Sequence, residues 1–430
     1  MKNAHQTLFR FRDIFYGWWI VLSGGVLVSM SSGLFNTGFG FYVKPISQQF
    51  GWSTTVISGA VSLSRFEGGI LGPIEGFLIQ KFGPRGIIGF GLICFGAGFI
   101  LLSETNGSIP IYYVSFLLMS VGSTLGTWSP VMASINNWFN NNRTKAISFT
   151  MVGMGLGGIF WTPLVGLSIE KFDWQQTALI SGIIIMGIGL PLSRLVRASP
   201  EPYGYLPDGV PPGSSSTSRR AATMLDPNRE YDYTLAEALR TRSFWLMSWG
   251  HSLALMVVSA IGLHLVPYLQ TDLGFSIGIV IQFTLILTVT QILSHLLGGF
   301  YGNRFPKKYI AAVTMIGHAT ALLILATAIS YWQVVLGLVI QGVSWGVRGP
   351  VLNSMRGDYF GRKHFPVIMG FTKFIMMFGM IIGTFFPGFM DDQFSYRAAF
   401  LTLSATSSLG VILFLLMPRP EREKNTSRQV

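Results

Sequence analysis

The sequence is short of charge. Of 430 residues, 30 are Lys or Arg and 18 are Asp or Glu, 11% in all, against about 25% in soluble domains. That shortage excludes the string of soluble domains that the length alone would suggest. Cysteine is almost absent. The one residue, Cys94, lies in an apolar run, so no disulfide can form within the chain and the redox compartment goes unread. No H-E-x-x-H or G-x-S-x-G sequence occurs, and buried acids do not cluster, so a membrane-embedded enzyme would lack its tools. No G-x-x-x-x-G-K-[ST] loop occurs, which argues against ATP-driven work. Nothing calls for a cofactor or a metal.

Long apolar runs are abundant. A bilayer core needs about 20 apolar residues per helix. Twelve stretches qualify: 17–43, 53–80, 86–104, 109–138, 145–170, 174–196, 243–271, 276–303, 308–329, 332–358, 364–390 and 396–417. The first is too long for the apolar region of a cleavable signal, so it reads as a span. The partner implied throughout is the lipid bilayer.

The basic residues orient these spans. With the N-terminus in the cytosol, the cytosolic segments carry Lys2, Arg10 and Arg12; Lys81 and Arg85; Arg143 and Lys145; Arg304, Lys307 and Lys308; Arg356, Arg362 and Lys363. The middle loop and the tail carry most of the rest. The opposite loops hold Lys171 and Arg397 beside acids such as Glu104, Glu170, Asp173, Asp272 and Asp391. This is the positive-inside pattern. It predicts an inner (plasma) membrane protein with both termini cytosolic. It also makes the net charge of +12 a mark of orientation rather than of a nucleic-acid partner.

Residues 198–242 form the one long polar segment, with a Ser/Thr run at 214–218. Thr234 and Glu237 make a capping box, so a short surface helix is expected there. On either side, residues 1–197 and 243–430 look duplicated. GFLIQKFGPR (76–85) is echoed by GFYGNRFPKK (299–308), FGWS (50–53) by LGFS (273–276), PVMAS (130–134) by PVLNS (350–354) and WF (138–139) by YF (359–360). The offsets stay between 220 and 223 residues. The expected fold is an all-α membrane protein of twelve helices in two pseudo-symmetric six-helix bundles, joined by the linker.

Ionisable groups inside spans are costly and default to functional candidates. Arg65 and Glu67 sit near mid-depth in the second span, about 18–21 Å from its start at 1.5 Å per residue. Arg348 lies at similar depth in the tenth span and Lys373 in the eleventh. Three cations against one acid suggest a pocket for an anion, because a guanidinium fork matches a carboxylate. The plainer alternative is that Arg65 and Arg348 bond backbone carbonyls or internal partners. Glu67 is the candidate for proton coupling, or else a fixed partner of Arg65 or Lys373. His251, His264 and His318 are further buried candidates, His264 the foremost, each with a plainer reading as a packed neutral side chain. Asn36 and Asn353 can supply neutral hydrogen bonds. Phe39, Trp128, Trp161 and Trp345 can shape the pocket.

The chain resembles the major facilitator superfamily over essentially its whole length. Gly76, Leu78, Lys81, Gly83 and Arg85 fit the family's G-x-L-x-D-R-x-G-R-R loop, but Gln80 replaces its acid. Asn303, followed by Arg304, stands at the equivalent place in the second half. In the family that acid helps to lock the cytosolic side, so the lock is expected to be rebuilt here, with Glu75 or Asp358 as candidates. FYGWWIV (15–21), FGWS, NNWF…R (136–143), DYFGRK (358–363) and PEPYGYLPDG (200–209) are similar to monocarboxylate transporters and oxalate/formate antiporters. That likeness implies a substrate-binding lysine near Lys373 and another near the outer end of the first span, where Lys44 stands. It also implies an arginine four residues before Gly299, where His295 is found instead, so Arg348 is the candidate for the anchoring role. The implied function is secondary active transport of a small organic anion, a monocarboxylate, coupled to protons, by a monomeric unit. Anion exchange of the oxalate/formate type is the alternative; a membrane enzyme or a non-transporting receptor stands behind both.

Overall fold

The computed structural model describes residues 14–52, 54–209 and 232–420. The basic residues at 2, 10 and 12, the Ser/Thr run of the linker, and the last ten residues lie outside it. Among the described residues there is no strand. Twelve principal helices run in order: α1 Gly17–Phe50, α2 Thr54–Ile70, α3 Gly72–Ser103, α4 Ile109–Trp138, α5 Arg143–Phe172, α6 Trp174–Ser193, α7 Arg242–Thr271, α8 Ile277–Tyr301, α9 Lys307–Ala326, α10 Tyr331–Phe360, α11 Phe365–Gln393 and α12 Tyr396–Leu415. The short helix Leu235–Arg240 precedes α7, and Thr234 and Glu237 form its reciprocal cap.

Eleven described helices are long and apolar enough to cross a membrane. The second expected span, 53–80, is the exception because it is broken. Its first part is α2. The chain bends at Leu71 and resumes as Gly72–Phe82, the opening of α3. Pro73 in the first turn of α3 has no N–H to continue an upstream ladder. Gly83 then takes φ +75°, a left-handed value open to glycine, and Pro84 starts the return through the membrane.

The helices carry large apolar side chains on their outer faces, among them Phe385 (72% exposed), Val313 and Leu167. Such a surface suits hydrocarbon, where helices satisfy their backbone internally. Inside, one core spans Ile20 to Val196 and takes in Phe365 and Met369 of α11. A small satellite group, Ile79, Ile87, Leu125 and Ala133, lies beside it in the first bundle, and two further core groups lie within residues 233–417. The six-helix bundles meet where α11 crosses α3. A Cβ on Gly76 would stand 2.4 Å from the Pro366 carbonyl oxygen, so only glycine permits this approach.

Both ends of the linker are pinned. Asp208 accepts from the backbone N–H groups of Asn140, Asn141 and Asn142 at 3.3, 2.8 and 3.1 Å, ahead of α5. Asp232 accepts from those of Arg362 and Lys363 at 2.7 and 3.0 Å, ahead of α11. Both loops lie at the same end of the molecule, here called the linker side.

Candidate functional site

At mid-depth between the bundles lies a cavity of about 360 Å³, walled by α1, α2, α4 and α11. Two of its walls are irregular. α1 widens into a π-helical stretch at Ser31–Thr37, and α4 does so at Thr124–Trp128. Such bulges re-aim side chains and backbone and are frequent at functional sites. Ser31, Asn36, Thr124, Thr127 and Trp128 reach the cavity from them. Ser31 and Ser123 share a 2.5 Å hydrogen bond, and Asn36 donates to the Ser31 carbonyl at 3.3 Å.

Lys373 enters from α11. It donates to Ser129 Oγ at 2.5 Å and to Glu75 Oε2 at 3.0 Å, and the Ser129 hydroxyl lies 3.3 Å from the same carboxylate oxygen. Glu75 is nearly sealed, with 4% of its side chain exposed. This pair ties α3 of one bundle to α11 of the other. Among the described residues Lys373 is the one cationic side chain on the cavity wall. Glu67 sits above it on α2. Its Oε2 accepts from Ser120 at 2.5 Å, while its buried Oε1 has no partner among the described residues. Lys373 therefore pairs with Glu75 rather than Glu67. The side chain of Arg65 lies outside the described residues.

The remaining candidates are elsewhere. Arg348 is 1% exposed and does not line the cavity. His295, also buried, donates from Nδ1 to the Gly346 carbonyl at 2.8 Å. Asn353 donates to the Gly349 carbonyl and accepts from Arg356. His264 donates to the Thr384 carbonyl at 2.8 Å and packs by Tyr396, fixing α7 to α11 on the side away from the linker. Lys44 is exposed near that end of α1.

Below the cavity the bundles are fastened together. Asp358 receives Arg143 at 2.7 Å and also Lys307. Gln80 donates to His364 Nδ1 at 2.7 Å. Asn303 accepts from Thr144 at 2.8 Å and donates to the Asn141 carbonyl. Arg362 reaches the Asn137 carbonyl at 2.7 Å and Glu201 at 3.3 Å. Both amides of the duplicated loop thus bond across the bundle boundary, and the charge they lack is supplied by Glu75 and Asp358. Among the described residues Lys81, Arg85 and Arg304 make no such bridge: the first two are exposed, and Arg304 lies over the Tyr301 ring.

Sequence reasoning passed over the cavity serines Ser31, Ser120 and Ser123, and Ser129, which bonds Lys373 beside it. Their signal was present in SMSSG (29–33), SVGST (120–124) and TWSP (127–130), hydroxyl-rich patches inside otherwise apolar spans.

The family model described as Major Facilitator Superfamily matches residues 25–327 and 247–430. An oxalate:formate antiporter of Oxalobacter formigenes is 25% identical over 419 residues, covering 94% of this chain and 92% of its own. Monocarboxylate transporter 13 of Rattus norvegicus is 22% identical over 411 residues, covering 94% and 89%. Among solved structures, the transporter FucP in the outward conformation superposes with a TM-score of 0.72 at 14% identity, covering 95% of this chain and 99% of that one.

Proposed function

The chain belongs to the major facilitator superfamily, and on that premise we propose that it moves a small organic anion, a monocarboxylate, together with protons by alternating access. That it is a transporter and not an enzyme follows from the family. The substrate class and the coupling are our reading, and the Lys373–Glu75 pair carries them. A carboxylate entering the cavity competes with Glu75 for Lys373. Removing one partner from a buried pair costs about 3–5 kcal/mol. That is close to the ~5.5 kcal/mol needed to take a two-state equilibrium from 1:99 to 99:1. The anion therefore weakens the fastening of α3 to α11 when it takes the ammonium, and the bundles can rock apart on the linker side.

The same geometry supports proton coupling. One ammonium beside two carboxylates repels an anion when both acids are ionised. A proton taken by Glu67 makes the cavity more receptive, since protonation removes a like charge from the anion's surroundings. We place the linker side in the cytosol of a plasma-membrane protein, as the basic loops favour. One chain holds the whole cavity and forms the functional unit.

The names of the two relatives favour a carboxylate, and one of them is an antiporter. Proteoliposome uptake of labelled monocarboxylates, with and without an inward proton gradient, tests the reading. Gradient-driven accumulation supports symport. Uptake that needs an internal carboxylate and ignores the gradient selects exchange. No carboxylate uptake in either condition overturns the substrate class.

A further inference from the structure

Behind the cavity wall, the second bundle buries positive charge with no acid beside it among the described residues. Arg348 and Arg356 are each 1% exposed, and His251, His295 and His318 are buried within electrostatic reach of Arg348. Asp358, two residues beyond Arg356, is committed to Arg143 and Lys307. Arg356 is held by Asn353 Oδ1 at 2.8 Å and by His251 Nδ1. Arg348 is not: its Nε and Nη1 are buried and have no partner among the described residues. The Nε of Arg356, Nε2 of Gln341 and Nε2 of His318 share that condition.

Helix α10 places Arg348 and Gln341 on one face, beside His318 of α9. Long side chains on a helix lean toward its N-terminus, which carries the Arg348 guanidinium toward the turns above Gln341. Gln341 lies seven residues earlier on the same face. His318 of α9 donates from Nδ1 to Gln341 Oε1 at 2.9 Å, so its Nε2 is the acceptor. The orphaned atoms are therefore four donors and one acceptor, surrounded by two guanidinium charges. Water can satisfy donors but supplies no charge. A buried cation left without a counter-charge is strongly unfavourable.

We propose that this group is an internal anion site taking one small monovalent anion, a halide or a carboxylate head, against the Nε–Nη1 edge of Arg348. None of its residues lines the Lys373 cavity, so it stands apart from the transport reading.

The full chain in lipid nanodiscs tests it. Its thermal midpoint is followed in sulfate while chloride, bromide or formate is titrated in at constant ionic strength. Wild type is expected to rise saturably with at least one of these; the halide and formate arms tell the two sources apart. Arg348→Gln is expected to weaken that response at least tenfold while its midpoint in sulfate stays level or rises, because a buried unpaired charge has been removed. Lys373→Gln is expected to keep the response. No response in wild type, a response in Arg348→Gln within twofold of wild type, or loss in Lys373→Gln overturns the site. Where the halide arm responds, bromide-soaked crystals of wild type give a check free of variants: an anomalous peak beside Arg348 is expected, and its absence overturns the proposal.

Discussion

Lys373 and Glu75 stand 298 residues apart in the chain and 3.0 Å apart in space. Replacing Lys373 by Gln leaves a buried carboxylate without its cation and the cavity without its ammonium. Uptake of a labelled monocarboxylate should fall by roughly a hundredfold, the value of a hydrogen bond to a charged group at about 1.5–3 kcal/mol. The double variant Lys373→Gln, Glu75→Gln should unfold with a coupling of about 1–3 kcal/mol relative to the two single changes. A coupling near zero would show that the pair is not formed in the membrane.

Glu67→Gln keeps the hydrogen bond to Ser120 and cannot exchange a proton. Its uptake should lose most of its dependence on the imposed proton gradient while exchange of labelled for unlabelled substrate persists. Equal loss of both activities would make Glu67 a substrate contact instead.

Asp358 receives two cations, one of them Arg143 with 0% side-chain exposure. Asp358→Asn should weaken the linker-side closure by about 1–3 kcal/mol, as for a buried charged partner left short of a bond. Cys94 is the one native cysteine. A Cys94→Ser background with a new cysteine at Ser354, fully buried against Thr144 of the other bundle, therefore reports opening directly. Thiol labelling there should speed up several-fold; an unchanged rate would mean that Asp358 bears no part of the closure.

His264→Asn is expected to be quiet in transport. The imidazole ties α7 to the Thr384 carbonyl away from the cavity. The variant should lose about 1 kcal/mol of stability, one ordinary hydrogen bond, and keep KM within twofold. A large KM change would bring His264 into the substrate path.

Much of this was legible in the sequence. Hydropathy and basic loops fix helices because lipid leaves the backbone few alternatives. The substitution of amides for the loop acid directed attention to Glu75 and Asp358, which the structure shows bonded to Lys373 and Arg143 of the opposite bundle. The break at Leu71–Pro73 was not read, since an apolar count cannot see where the ladder of hydrogen bonds is interrupted. The π-helical stretches of α1 and α4 were likewise invisible, because one extra residue in a turn leaves composition unchanged. Arg348 and Lys373 looked alike at mid-depth. Facing is decided by the packing of α8, α9 and α10 around one and the meeting of α3 with α11 around the other, which no spacing along the chain contains.

The two linker anchors bear on what kind of mechanical element the linker is. Asp208 and Asp232 grip loops that are themselves duplicates: Asn141 and Asn142 lie 221 residues before Arg362 and Lys363. Twenty-three residues lie between the anchors, a contour of at most about 80 Å at 3.3–3.6 Å per residue. The anchors act as a pair of clips, each holding one hinge loop of its own bundle in shape while the bundles change partners. Cutting the chain between the clips should accordingly leave transport standing, whereas Asp208→Ala or Asp232→Ala should loosen one loop at a time.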